Sequence, residues 1–422
     1  MTSVYLKPSL LGGTLSVPPS KSHTLRAILF ATLAQDSSII HNYLHSPDTD
    51  AMIKACRQLG AHITVFDKRL EIKPHLRPPE DVIDAGNSGQ VLRFLGAVLA
   101  LFPQYCVVTG DVSIRHSRPV LPLLEGLSQL GAFATSMCGN QQAPIIVKGP
   151  LKGGTALVEG EDSQPISGLL IASAFAPCKT EIFVTNPGEV SWIKLTLDWF
   201  DFLGISYTHE SFERYCLPGG SVIKGFEYTV PSDFSSASYA IAAALITQSE
   251  LTLTGMDLRD IQGDKEVIFL LQRMGARIEI NSEKQTITVL KGGSLEGSLI
   301  NVNEFIDALP LLSVMGCFAT GVTTITNGKI ARKKESDRIS CIVSELKKMG
   351  ADITEQEDGV IVKQSVLKGA CLKSHNDHRM AMSLAVASLG AEGSSMIEGV
   401  DCVSKSYRGF FDELKRLGAF IE

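Results

Sequence analysis

The charged residues that could do chemistry here gather in short clusters, and most clusters stand where a helix should begin. The first is Pro18-Pro19-Ser20-Lys21-Ser22-His23-Thr24-Leu25-Arg26. The prolines stop whatever precedes them, Ser20 is a good N-cap, and Leu25, Ile28, Leu29 and Leu33 follow at helical spacing. Free N–H groups, the helix dipole, Lys21 and Arg26 together make an anion site. Ser22 and Arg26 lie four apart and can share a face. A capped helix with two solvated cations has the same signature.

Gly86-Asn87-Ser88-Gly89, with Arg93 after it, joins two glycines that admit close backbone approach to another helix start. Arg115-His116-Ser117-Arg118-Pro119 places Arg118 before a proline that can start a helix. A guanidinium there suits bidentate binding of a planar anion, though two exposed arginines on a loop would read alike. Asp162-Ser163-Gln164 opens another apolar helix, and Ser235-Ser236 a further one, where N-capping is the simpler reading.

Arg332-Lys333-Lys334-Glu335-Ser336-Asp337-Arg338 is dense in both charges and also reads as a solvated helix start. In Asn376-Asp377-His378-Arg379 the His and Arg adjoin an apolar helix and do not suit a simple core. Lys405 and Arg408 come near the last helix start. Asp307 opens the apolar run Ala308–Met315 and is a candidate general base or an N-cap. No metal motif, P-loop, GxSxG or nucleotide fingerprint is present. Cations and carboxylates at helix starts suit two anionic small molecules and acid–base chemistry without a metal.

The elements that must position these residues repeat. An apolar-Gly-(mostly Ala) tag closes a helical pattern and opens an alternating one at Gly60, Gly131, Gly204, Gly275, Gly350 and Gly418, spaced 71, 73, 71, 75 and 68 residues apart. Glycine suits the left-handed position just past a helix end. A second series interleaves: apolar helices beginning near Lys21, Asn87, Ser163, Ser235, Asp307 and Asp377, each running into a short strand that ends in Asn or Gly. These helices are too apolar to be surface helices.

Each unit therefore holds a buried helix, a strand, an amphipathic helix and further strands. Six units make two similar α/β domains of three repeats each. The last tag is followed only by Phe420-Ile421-Glu422, so the N-terminal strands near Val4–Leu6 and Thr14–Val17 are expected to complete the last unit. The expected domains are 1–20 plus 229–422, and 21–228. Their polar helix starts would face each other across an interdomain cleft that holds the active site.

The length of 422 residues fits two domains, and 44% apolar composition fits a large core. A net charge of −6 argues against a nucleic-acid or membrane-surface binder. The nine cysteines are scattered without CxxC spacing, which fits a reducing cytoplasm and neither a zinc site nor a disulfide framework. No signal-peptide pattern or transmembrane-length apolar run appears.

Together the motifs resemble the enolpyruvyl transferases over essentially the whole chain. They are PPSKSHTLR (18–26), GNSGQVLR (86–93), RHSRPVLPLLEGLSQLGA (115–132), SDFSSASY (232–239), KKESDRI (333–339), NDHRMAM (376–382) and the lysine of CVSKSY (402–407). The resemblance is to the members acting on shikimate 3-phosphate and phosphoenolpyruvate. It implies a fold of two domains, each with buried parallel helices and outer sheets, like an inside-out α/β barrel. It also implies a cytoplasmic monomer with no cofactor and no nucleic-acid or membrane partner. The reaction implied is addition of the 5-hydroxyl to C2 of the enol with protonation of C3, then expulsion of phosphate.

By the same resemblance, Lys21, Ser22, Arg26, Ser163, Gln164, Ser191, Asp307 and Lys334 contact shikimate 3-phosphate. Lys21, Gly89, Arg118, Gln164, Arg338, Arg379 and Lys405 cradle phosphoenolpyruvate. Asp307 takes the hydroxyl proton, Glu335 donates or relays a proton, and Lys21 is the third catalytic group. Carboxylates held among fixed cations suit that work.

The chain departs from the family pattern in places. Asp162 stands where a small residue is usual, and Gln90 where threonine is common. Lys194 lies in a shortened segment, and Ile330 where some members place an asparagine. Two alternatives stand beside this reading. The sister enzyme acting on UDP-N-acetylglucosamine has a Lys-Asn helix start and commonly a loop cysteine, which the Arg115–Arg118 region lacks. A non-catalytic anion-binding protein on the same repeats would have lost Asp307, Glu335 and Lys21, all of which are present.

Overall fold

Each of six helices with almost no polar face is enclosed by strands, and this sets the architecture. In the computed structural model, which describes residues 2–422, the helices Lys21–Leu33, Gly89–Val98, Ser163–Phe175, Phe234–Ile246, Leu309–Phe318 and His378–Leu389 are buried along nearly their whole length. Burying each of their Leu, Ile or Phe side chains contributes about 2 kcal/mol.

The chain divides into two compact units, Pro19–Val230 and residues 2–18 with Pro231–Glu422. In the unit Pro19–Val230, three four-stranded sheets follow one plan. The strand after each buried helix (Ser38–His41, Tyr105–Thr109 or Thr180–Thr185) pairs antiparallel with a hairpin on one side. On its other side it pairs parallel with a strand that comes from a neighbouring repeat. The last of these, Glu227–Thr229, returns to the first sheet and closes the set of three.

The other unit repeats the plan around Glu250–Thr254 and Val322–Thr326, whereas the sheet around Ser395–Glu398 has three strands, with Ser3–Leu6 in place of the hairpin. These strands alternate exposed and buried positions, so one face of each sheet covers helices and the other meets solvent. Helices inside and sheets outside, three repeats per unit, agree with the expected fold class.

The N-terminal segment serves two sheets, which corrects the expectation that it completes only the last repeat. Ser3–Leu6 pairs antiparallel with Ser395–Glu398, and Ile421 bridges to Leu6. Gly12–Ser16 instead pairs parallel with Glu250–Thr254, where the plan requires a parallel edge strand. All six tag glycines have positive φ, from +69° at Gly204 to +114° at Gly418. The tag is thus a helix stop that a side chain would strain. The Asn or Gly ending most central strands has the same cause: Asn42, Asn186 and Asn327 also have positive φ.

Candidate active site

In the unit Pro19–Val230, three helix starts hold the candidate residues. Ser20 caps the first helix, accepting from His23 N. One turn on, Arg26 donates from Nε and Nη2 to Thr196 Oγ1 at 3.1 and 2.8 Å, from Nη1 to Ser22 O at 3.2 Å, and from Nη2 to Trp192 O at 3.1 Å. All of these acceptors are neutral, and among the described residues no carboxylate pairs with Arg26. Its side chain is 1% exposed, and burial pushes its pKa down to about 9, which leaves it charged at neutral pH. A buried cation with neutral acceptors only is relieved by an anionic ligand. Lys21 Nζ lies 3.3 Å from buried Asp48. Ser22 Oγ accepts from Gln90 Nε2 at 3.2 Å, which links the first two helix starts.

At the second start Ser88 is the cap, accepting from Val91 N at 3.3 Å. A Cβ at Gly89 would stand 2.8 Å from Arg93 Nη1, 3.0 Å from Gln164 Oε1 and 3.8 Å from Arg118 Nη1. Gly89, Arg118 and Gln164 therefore converge. Arg118 is buried between the helices Val112–Ser117 and Leu121–Gln129. The second of these begins two residues after Pro119, which corrects the expectation that Pro119 starts it. At the third start Ser163 donates from both N and Oγ to Glu189 Oε2 at 3.2 Å. Glu189 is buried at φ +48° and precedes Ser191, which is also buried. Of the residues that depart from the family pattern, Lys194 lies over the Phe212 ring and Ile330 is packed in the core.

In the other unit, Asp307 sits in the turn Asn303–Ala308 and Arg338 begins the helix Arg338–Lys348. Arg338 is almost fully buried and donates to three carboxylates: Asp307 Oδ1 at 2.6 Å, Glu335 Oε2 at 2.8 Å and Asp377 Oδ2 at 2.7 Å. Asp377 also caps the helix His378–Leu389, accepting from Arg379 N at 2.8 Å. Arg379 Nη2 reaches the second oxygen of Asp307 at 3.2 Å, while its buried Nε and Nη1 have no partner among the described residues. Lys405 donates to Glu335 Oε1 at 2.6 Å, and Lys334 is buried nearby. Burial alone would raise the Asp307 pKa; Arg379, Arg338 and Lys334 outweigh it and hold the carboxyl far below its usual range. Burial lowers Arg338, but Asp377, Glu335 and Asp307 outweigh it and raise it well above the usual value.

Glu335, Asp377 and His378 place ligand atoms within 4.8 Å of one another. Arg338 donates to both carboxylates and Lys405 to Glu335, so two cations already face the pair.

Several partners escaped the sequence reading. Asp233, not Ser235 or Ser236, caps the helix Phe234–Ile246, accepting from Ser235 N at 3.3 Å and Ser236 Oγ at 2.8 Å. Tyr239 lies under the Arg379 guanidinium, 5.9 Å from ring to cation. Asp377 could have been found as the N-cap of its apolar helix. Asp48, Thr196 and Glu189 carry no local signal.

The family described as EPSP synthase (3-phosphoshikimate 1-carboxyvinyltransferase) matches residues 6–414. A 3-phosphoshikimate 1-carboxyvinyltransferase of Chlamydia caviae is 42% identical over 427 residues, covering 100% of this chain and 95% of that protein. One from Acetivibrio thermocellus is 42% identical over 419 residues, covering 99% of this chain and 98% of that one. A solved EPSP synthase structure from Acinetobacter baumannii superposes with a TM-score of 0.83 at 28% identity, covering 100% of this chain and 99% of that chain. The chain belongs to the enolpyruvyl transferases, and within them to the EPSP synthase family.

Proposed function

We propose that the protein transfers the enolpyruvyl group of phosphoenolpyruvate to the 5-hydroxyl of shikimate 3-phosphate and releases phosphate. That step belongs to the shikimate pathway of aromatic amino acid biosynthesis. The observation that carries the reading is the cluster of Asp307 and Glu335 among Arg338, Arg379 and Lys405. It combines two carboxylates able to move protons with three cations able to hold an anionic co-substrate. Arg26 supports a second anion, because its buried charge has only neutral acceptors.

Lys21, Ser22 and Arg26 hold the phosphate of shikimate 3-phosphate, with Ser163, Gln164, Ser191, Asp307 and Lys334 on the same substrate. Lys21, Gly89, Arg118, Gln164, Arg338, Arg379 and Lys405 hold phosphoenolpyruvate. Asp307 accepts the proton of the attacking hydroxyl, and the C2–O bond forms. C3 receives a proton by way of Glu335. The tetrahedral intermediate then loses a C3 proton and expels phosphate, which leaves the enolpyruvyl ether. Lys21, Arg338 and Arg379 offset the developing charge.

Asp307 and Glu335 themselves occupy the arginine and lysine donors. An incoming substrate anion competes for those donors. It also relieves the cationic grip on Asp307, so substrate binding makes that carboxylate a stronger base.

The reading includes a monomer working in the cytoplasm. Among the described residues no helix is long and apolar enough to cross a membrane. The test is phosphate release from phosphoenolpyruvate with shikimate 3-phosphate as acceptor. Release only with UDP-N-acetylglucosamine, or binding of both substrates without turnover, overturns the proposal. Sedimentation of the purified protein tests the monomer.

A further inference from the structure

Asp162 is tied to the side chain of the residue two places on. Its Oδ1 accepts from Gln164 N at 3.0 Å, capping the helix Ser163–Phe175, and its Oδ2 lies 3.0 Å from Arg93 Nη2. Arg93 Nη1 donates to Gln164 Oε1 at 3.1 Å, and Nη2 donates to Pro119 O at 2.9 Å. Asp162, Arg93 and Gln164 thus close a ring of one ion pair and two hydrogen bonds that begins and ends on residues of one helix start. Arg93 is 1% exposed, so the ring lies in a medium that strengthens it.

Two things follow for Gln164. Its amide oxygen is committed to Arg93, while Nε2 has no partner among the described residues. The amide therefore presents its donor end, which suits an anionic oxygen and not a hydroxyl proton. Second, the charge of Arg93 is balanced by Asp162. Arg93 can then hold Gln164 without itself drawing in the substrate anion. The ring lies against Gly89, whose added Cβ would meet both Arg93 Nη1 and Gln164 Oε1.

We infer that Asp162 is a positioning residue. Through Arg93 it holds the Gln164 amide with its Nε2 directed at the anionic co-substrate, and it does not itself touch substrate. This rests on the reading of Gln164 as a phosphoenolpyruvate contact. Where the family has a small residue, this chain has a charged support for the neighbouring glutamine.

The test is steady-state kinetics of Asp162→Asn and Asp162→Ala, alone and combined with Gln164→Ala. Asp162→Asn keeps an oxygen for the cap and loses the charge opposite Arg93. The expected result is a KM for phosphoenolpyruvate raised about tenfold, with kcat and the KM for shikimate 3-phosphate within about twofold. In the Gln164→Ala background the same change should have less than about a twofold effect, because the support then has nothing to position. If Asp162→Asn does not fold, Asp162→Ser keeps the cap and takes its place. An unchanged KM for phosphoenolpyruvate in an active variant overturns the inference. So does a full effect that persists in the Gln164→Ala background. Wild-type turnover separates the two levels: without it the proposed function fails and this inference with it, whereas normal wild-type turnover with indifferent Asp162 variants removes the inference alone.

Discussion

Asp307 accepts from Arg338 Nη1 at 2.6 Å through one oxygen, and its other oxygen is held by Arg379 at 3.2 Å. A single carboxylate thus spans two arginines that are proposed to hold an anionic substrate. Asp307 is both the proposed base and an internal rival of that anion. Asp307→Asn should lower turnover about 10²–10⁴-fold, the range for loss of a general base. The same change should leave phosphoenolpyruvate affinity unchanged or tighter, since the competing charge is gone. Single-turnover phosphate release and equilibrium titration measure the two separately. A loss of affinity that matches the loss of turnover would show that Asp307 does not compete for the arginines.

Arg26 should show a split between function and stability. Arg26→Met removes a buried cation that has no carboxylate partner, together with its bonds to Thr196 and two carbonyls. These losses and gains oppose each other, so the Tm without ligand should move by less than about 4 °C. Affinity for shikimate 3-phosphate should fall about 100-fold, as expected for a lost charge-assisted contact with phosphate. Calorimetry and thermal melts test both; a large drop in Tm with affinity retained would make Arg26 a structural residue.

A pH-dependent contact lies behind the loop that carries Asp377. His375 Nε2 is 2.8 Å from Glu345 Oε1, and Glu345 also accepts from Lys348 and from the backbone N of Lys373. Hydrogen bonds donated to Cys341 and Glu345 raise the His375 pKa to about 9. Burial would raise Glu345, but the bonds from His375, Lys348 and Lys373 outweigh it and bring it to about 2. A raised histidine pKa stabilises fully below the unfolded value of about 6.5, and the effect fades as pH rises through about 9. A depressed glutamate pKa stabilises above the unfolded value of about 4.3, and the effect fades as pH falls toward about 2. His375→Gln should therefore lower Tm most near about pH 5.5–6.5, with the gap closing above about pH 9.5. A gap that is constant across this range would refute the linkage.

Gly89→Ala should weaken the site and spare the fold. The added Cβ would lie 2.8 Å from Arg93 Nη1 and 3.0 Å from Gln164 Oε1, the far ends of two flexible side chains. They can yield, so Tm should stay within about 3 °C, whereas the KM for phosphoenolpyruvate should rise about tenfold or more. Melting curves and initial rates decide between this and a folding defect.

The repeat was legible because each tag glycine solves a local problem. Gly60 or Gly275 must adopt positive φ to end a helix, and the sequence shows this directly. The buried helices were legible because runs such as Ala240–Leu245 have no polar face. Arg338 and Arg379 could be nominated from composition and resemblance, but the partners that hold such groups could not. Thr196 bonds Arg26 across 170 residues and Glu189 bonds Ser163 across 26, and neither spacing leaves a periodic trace. The cap at Asp233 was missed because two serines beside it are equally good caps by type. The second N-terminal strand was misplaced because Gly12–Ser16 has the alternation of any edge strand and nothing that names its neighbour.

The pairing of the chain's first strands with distant ones bears on how the protein is made. Ser3–Leu6 and Gly12–Ser16 leave the ribosome long before their partners Ser395–Glu398 and Glu250–Thr254. Pro19–Val230 closes its own sheets when Glu227–Thr229 meets Ser38–His41, well before synthesis ends. The nascent chain should therefore hold a finished middle while its beginning waits as two unpaired strands, the part most in need of chaperone cover. Proteolysis of chains stalled after residue 260 should find Pro19–Val230 protected and residues 2–18 cut; equal protection of both would refute this order.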